Sequence, residues 1–125
     1  MAEFLSADWF AALGSVDVAT DPALTFRLDQ SIIGRPGGDV RYRVTLAAGR
    51  LHVDGDVGDE PADASLRLAY PTALDLATGR RTAHEALIAG EVRFSGDPAR
   101  IQDLAAAIGA IGSALEALRD DTTWP

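Results

Sequence analysis

Proton chemistry in this 125-residue chain would rest on two histidines, His52 and His84, with the tyrosines Tyr42 and Tyr70 as further donors. His52 alternates with Leu51 and Val53 and so faces away from their side of a strand. His84 lies inside the sequence T-x-x-E (Thr82 to Glu85), a helix-start signature. Both settings point to solvated imidazoles and not to a general base held against a substrate. Asp54, Asp56, Asp59, Glu60 and Asp63 offer hard oxygen ligands, yet their spacing departs from the EF-hand order, so they read as a solvated acidic loop. The chain has no cysteine, which excludes disulfides and thiolate metal sites. It also lacks a G-x-S-x-G elbow, an H-E-x-x-H helix and a phosphate-binding glycine loop. No catalytic residue, metal or cofactor is expected.

With polar chemistry so sparse, the apolar residues carry the reading. They make up 47% of the chain while aromatics make up only 6%, so an interior of Leu, Ile, Val and Ala is expected, suited to a greasy ligand. The length fits one domain, residues 1–125, with a sizeable core. A net charge of −8 and a pI near 4.5 argue against nucleic acid and anionic lipid surfaces as partners. All basic residues are arginine. The N-terminus lacks a secretory pattern, and no uncharged apolar run reaches the roughly eighteen residues that span a bilayer. A soluble, cytoplasmic protein without stable membrane insertion is therefore expected.

Along the chain, Ser6 is placed to cap a first helix with Phe4, Trp9, Phe10 and Leu13 on its apolar side. Alternation then predicts strands: Leu24, Phe26 and Leu28 inward, then Val40, Tyr42, Val44 and Leu46 after the loop "GRPGGD", then Leu51 and Val53 after Ala48-Gly49. A fourth strand carries Leu66, Leu68 and Tyr70, and short connections predict an antiparallel meander. Arg27, Arg41, Arg43, Arg67 and Arg93, with Asp29, Asp54 and Glu91, are expected on a solvated outer face. Tyr70-Pro71 opens a short helix ending near Gly79, and Thr82 and Glu85 cap a second that ends at Gly90. Val92 and Phe94 form a fifth strand, and Asp97-Pro98 starts the last helix. Between Asp103 and Glu116 that helix has no charge, and Ala106, Ala107, Gly109, Ala110 and Ser113 stand at positions expected to face water. A helix apolar nearly all round is buried or covers something apolar.

The ordered series "ADASLRLAYPTALDLATG" and "AHEALIAGEVRFSGD", with the hairpin "RYRVTLAAGRLHV" before it, resembles the sterol carrier protein type two family in its stand-alone bacterial form. The resemblance covers nearly the whole chain. It implies an α+β fold: a twisted five-stranded, largely antiparallel sheet with helices on one face and an apolar tunnel between them. Members bind sterols, fatty acids and fatty acyl thioesters. The peroxisomal tripeptide of some eukaryotic members is missing, since the sequence closes "DTTWP".

On this resemblance, the tunnel is lined by Phe26, Leu28, Tyr42, Val44, Leu66, Leu68 and Phe94 from the sheet, and by Leu87, Ile88, Ile101, Leu104, Ile108 and Ile111 from helices. The same residues would equally fill a solid core. The first functional reading is a non-catalytic carrier of a fatty acid, fatty acyl thioester or sterol-like lipid, a monomer or weak homodimer. The second is a small enzyme using Tyr42, Tyr70 or His84 as a proton donor in the same cavity. The third is a dimerising module built on the alanine-rich helix.

Overall fold

In the computed structural model, which describes residues 2–125, the pattern of alternation becomes a five-stranded sheet. Its strands are β2 (Phe26–Ile33), β3 (Val40–Ala47), β4 (Arg50–Asp54), β5 (Ala64–Ala69) and β6 (Val92–Gly96). A separate short pair, β1 (Ala2–Glu3) and β7 (Thr122–Thr123), ties the two ends of the chain together in parallel. The helices are α1 (Ala7–Leu13), α2 (Tyr70–Thr78), α3 (Ala83–Ile88) and α4 (Ile101–Leu118).

The sheet order is β4-β3-β2-β5-β6, and β5 runs parallel to β2 while the other neighbours are antiparallel. The expected meander is thus corrected at its fourth strand. The acidic loop 55–63 does not return β5 beside β4; it crosses to the far side of β2. That passage covers part of the outer face, so the expectation of a solvated mixed-charge surface is corrected as well. Asp29 and Arg43 are buried, paired at 2.7 Å (Nε to Oδ1), and Arg43 also donates to the Glu60 carbonyl in the loop above. The Asp29 hydrogen bond holds the Arg43 guanidinium above its ordinary pKa.

Asp63, which opens β5, ties three elements together. Its backbone N–H donates to the Arg27 carbonyl (2.9 Å), and its carboxylate accepts from the Arg27 N–H (2.8 Å) and pairs with Arg100 at 2.7 Å. Arg100 also donates to the Thr25 carbonyl, pairs with Asp103 and lies over the Phe26 ring, so it fastens the start of α4 to the start of β2. The glycine that closes β6 has its explanation here: a Cβ on Gly96 would stand 2.9 Å from the Asp63 carbonyl oxygen and 3.0 Å from Ala64 Cβ.

The helix starts follow the capping chemistry. Ser6 accepts from the Trp9 N–H, Thr82 and Glu85 form the reciprocal capping box, and Asp97 caps a 3₁₀ turn (Pro98–Arg100) that leads into α4. The hydrogen bond from the Thr82 N–H holds the Glu85 carboxyl below its ordinary pKa. On α4 the expected outward positions are partly inward. Ala107, Ala110 and Ala114 are buried with Leu104 and Ile111, because small side chains let the helix approach its neighbours closely. The stretch Pro98–Asp121, 24 residues, is long and apolar enough by length and composition to cross a membrane. In this fold that stretch packs on β2, α1 and α2.

Candidate functional site

The inward face of the sheet is built from rows of directly opposed residues. One row runs Tyr42–Gln30–Leu66–Phe94 across β3, β2, β5 and β6. All four side chains line a cavity of about 750 Å³ walled by the sheet and by all four helices. Burial falls along the row: Tyr42 is 4% exposed, Gln30 8% and Phe94 46%. The cavity therefore has a closed end under α1, lined by Phe4, Trp9 and Leu13, and an open end where Phe94, Leu87 and Ile101 meet solvent.

α4 forms one wall through Ile101, Leu104, Ala105, Ile108, Ile111 and Leu115, while its alanine face turns to the core. Its apolar character on more than one side thus has two causes. Gly109 and Gly112 also line the cavity, and a Cβ at either would meet nothing within 4 Å. Close packing does not account for them; they leave space. α2 contributes Ala73, Leu76 and Ala77, and α3 contributes Ala83, His84 and Leu87.

Of the residues expected to line a tunnel, Tyr42, Leu66, Leu68, Leu87, Phe94, Ile101, Leu104, Ile108 and Ile111 are gathered around this cavity. Four lie elsewhere. Phe26, Leu28 and Val44 are packed into closed core, because the rows nearer the start of β2 are filled by α4's alanine face, by Leu46 and Leu51, and by the Arg100 clamp. Ile88 is 73% exposed at the end of α3, one residue past the side that Leu87 turns to the cavity.

Sequence reasoning missed Gln30. The alternation Phe26, Leu28, Gln30, Ile32 would have placed it inward had the strand been followed past Asp29, but a polar residue reads as an outward one. Here it is buried, and Tyr42 donates its O–H to Gln30 Oε1 at 2.8 Å. Burial pushes the Tyr42 phenol up, so it stays protonated. The remaining polar lining lies around α2 and α3. Arg81 pairs with Glu91, and Arg119 donates to the Ala77 carbonyl (3.0 Å) and lies against Gly79. Gly79 sits at φ +81°, so it both ends α2 and leaves room for that guanidinium. His84 is exposed at the start of α3. Tyr70 does not line the cavity but packs toward Phe4 at 6.2 Å. Among the described residues, no three His, Cys, Asp or Glu side chains are grouped to hold a metal ion.

An antiparallel sheet with one parallel crossover, α4 laid on its inner face and a cavity between is an arrangement with relatives. The profile of the SCP-2 sterol transfer family matches residues 16–109. The chain belongs to the SCP-2 sterol transfer family. Membership supports lipid binding or transfer in general. The fold is that of a sterol carrier protein 2 crystal structure, with TM-score 0.68 and 18% identity over 94% of this chain and 98% of that one. Palmitated SCP2L2 from Aedes aegypti is similar at TM-score 0.61 and 25% identity, covering 79% of this chain and 86% of that one. The sec-alkylsulfatase Pisa1 from Pseudomonas sp. is similar at TM-score 0.57 and 24% identity over 85% of this chain, which spans 16% of the sulfatase. No curated protein matches the chain in sequence. The matched family stretch begins after α1 and ends within α4, so Phe4, Trp9, Leu13, Ile111 and Leu115 extend this cavity beyond it.

Proposed function

We propose that this chain is a non-catalytic carrier that holds a fatty acyl or sterol-like lipid in the cavity between its sheet and α4. The observation that carries the reading is a space of about 750 Å³ walled by aliphatic and aromatic side chains in a member of this family. Small-molecule sites are typically ~300–1,000 Å³ and mostly apolar. Each methylene buried contributes about 0.8 kcal/mol, so a chain of about ten gains ~8 kcal/mol before the costs of association. The palmitated relative favours an acyl chain as the ligand class. The lining offers a proton donor in Tyr42 and an exposed imidazole in His84, but they stand at the buried and the exposed end and form no nucleophile–base pair. The same proposal makes it a cytoplasmic monomer or weak homodimer that gives up its lipid without stable membrane insertion.

Titration with an environment-sensitive fluorescent fatty acid tests it. Saturable binding at one site per chain, displaced by unlabelled long-chain acyl compounds, is expected, together with a co-purified lipid mass in native mass spectrometry. Flat titrations with fatty acids, acyl esters and sterols alike would overturn the carrier.

A further inference from the structure

At the closed end of the cavity the Trp9 indole N–H is used on Thr122, whereas the Gln30–Tyr42 pair is only partly satisfied. Between them the two side chains carry three polar hydrogens, two on the Gln30 amide and one on the Tyr42 hydroxyl. Their mutual bond at 2.8 Å uses one, and among the described residues no other group accepts from either side chain. Gln30 is more than nine-tenths buried, yet it lines the cavity and has as its cross-strand neighbours Tyr42 and the apolar Leu66. Turning the amide over does not change the balance, since one bond is made and two hydrogens remain. Among the described residues no side-chain nitrogen or oxygen shut off from solvent lacks a partner, so the unused donors face the open space of the cavity; a ligand that fills this space without an acceptor would strip them of water and leave them unpaired, which is costly. Both donors are neutral. Of the arginines that line the cavity, Arg81 pairs with Glu91, and Arg119 donates its Nε–H to the Ala77 carbonyl and lies at Gly79, where α2 ends. A carboxylate drawn into the closed end would lose its hydration against neutral donors alone, whereas a carbonyl loses far less.

We infer that Gln30, held by Tyr42, is a specificity-determining residue that selects lipids bearing a neutral carbonyl with only a small group beyond it, such as a methyl ester or methyl ketone, and seats that oxygen at the closed end of the cavity. The inference rests on the carrier reading above, because it names the chemistry of the same site's ligand. It also fixes an orientation: the carbonyl is inside, and the hydrocarbon runs toward Phe94 and Leu87.

Three ligands of matched chain length separate the possibilities: the alkane, the methyl ester and the free carboxylate, each competed against the fluorescent fatty acid. The ester is expected to displace the probe about tenfold more strongly than either of the others. Gln30→Leu should bring the ester-to-alkane ratio below about threefold. The carbonyl stretch of a ¹³C-labelled methyl ester bound to the parent protein should lie at lower frequency than in alkane solvent and move back in the variant. Ester and alkane displacing equally well, or the carboxylate binding best, would overturn this inference while leaving the carrier standing. If none of the three displaces probe, the carrier reading falls and this inference with it. Should Gln30→Leu fail to fold, the ester-to-alkane ratio and the carbonyl frequency in the parent protein decide the matter alone.

Discussion

Replacing Ile108 with tryptophan sets the open cavity against a filled core. Ile108 is half-buried, lines the cavity from the middle of α4 and is followed at once by Gly109, where a Cβ would meet nothing within 4 Å. An indole at this position has room to lie across the cavity against Leu66 and Phe94. If it removes roughly 60 Å² more apolar surface from water than isoleucine does, it contributes about 1.5 kcal/mol. In a domain of this size that raises the melting temperature of the ligand-free protein by about 4–6 °C. The ring would also displace lipid. Excluding about three methylenes forfeits ~2.4 kcal/mol, a weakening of roughly sixtyfold. In a filled core the same change would overpack and cost about 1–3 kcal/mol. Thermal unfolding of delipidated parent and variant by circular dichroism, with fatty acid probe titration of each, reads both quantities. A clear drop in melting temperature with unchanged probe affinity would refute the argument that Ile108 borders empty space.

The two cavity glycines give a converse test: Gly109→Ala and Gly112→Ala should each stabilise α4 by up to ~1 kcal/mol, read as a higher urea midpoint, because the new methyl meets no neighbour and the helix backbone loses less entropy on folding. Destabilisation by either would mean that close packing holds them after all. Beneath the crossover loop, Asp29→Ala leaves the buried Arg43 guanidinium without its carboxylate and should cost about 3–5 kcal/mol in urea denaturation. A loss under about 1 kcal/mol would place that pair in the class of solvated surface bridges.

Local chemistry made most of the elements legible. Ser6, the Thr82–Glu85 box and the αL glycine Gly79 act within a few residues of themselves, so the starts and the stop they signal are those observed, while Asp97-Pro98 starts a 3₁₀ turn and α4 itself begins at Ile101. Alternation assigned Tyr42, Leu66, Leu68 and Phe94 to the inward face for the same reason: side-chain direction along a strand is a local property. The ordered glycine-ended helices and the Gly-Asp after β6 carried the family resemblance, and with it the five-stranded α+β fold.

What one-dimensional patterns could not carry is which strand lies beside which and how far each helix stands from the sheet. β5 joins β2 in parallel because loop 55–63 crosses the outer face, and that single long-range choice buries Asp29 with Arg43, two residues whose charge alone marks them for water. The same limit applied to Phe26, Leu28 and Val44. A strand pattern says that a residue points inward, but whether inward means core or cavity depends on the helix opposite, where Ala107, Ala110 and Ala114 let α4 pack closely along one side while Gly109 and Gly112 leave space along the other. Gln30 shows the limit most directly. Its inward direction follows from the period of β2, but its burial beside Tyr42 at the closed end of a cavity exists only once β3, β2 and β5 are laid side by side, because hydrogen-bond partners twelve residues apart in sequence meet through the ladder and not along the chain.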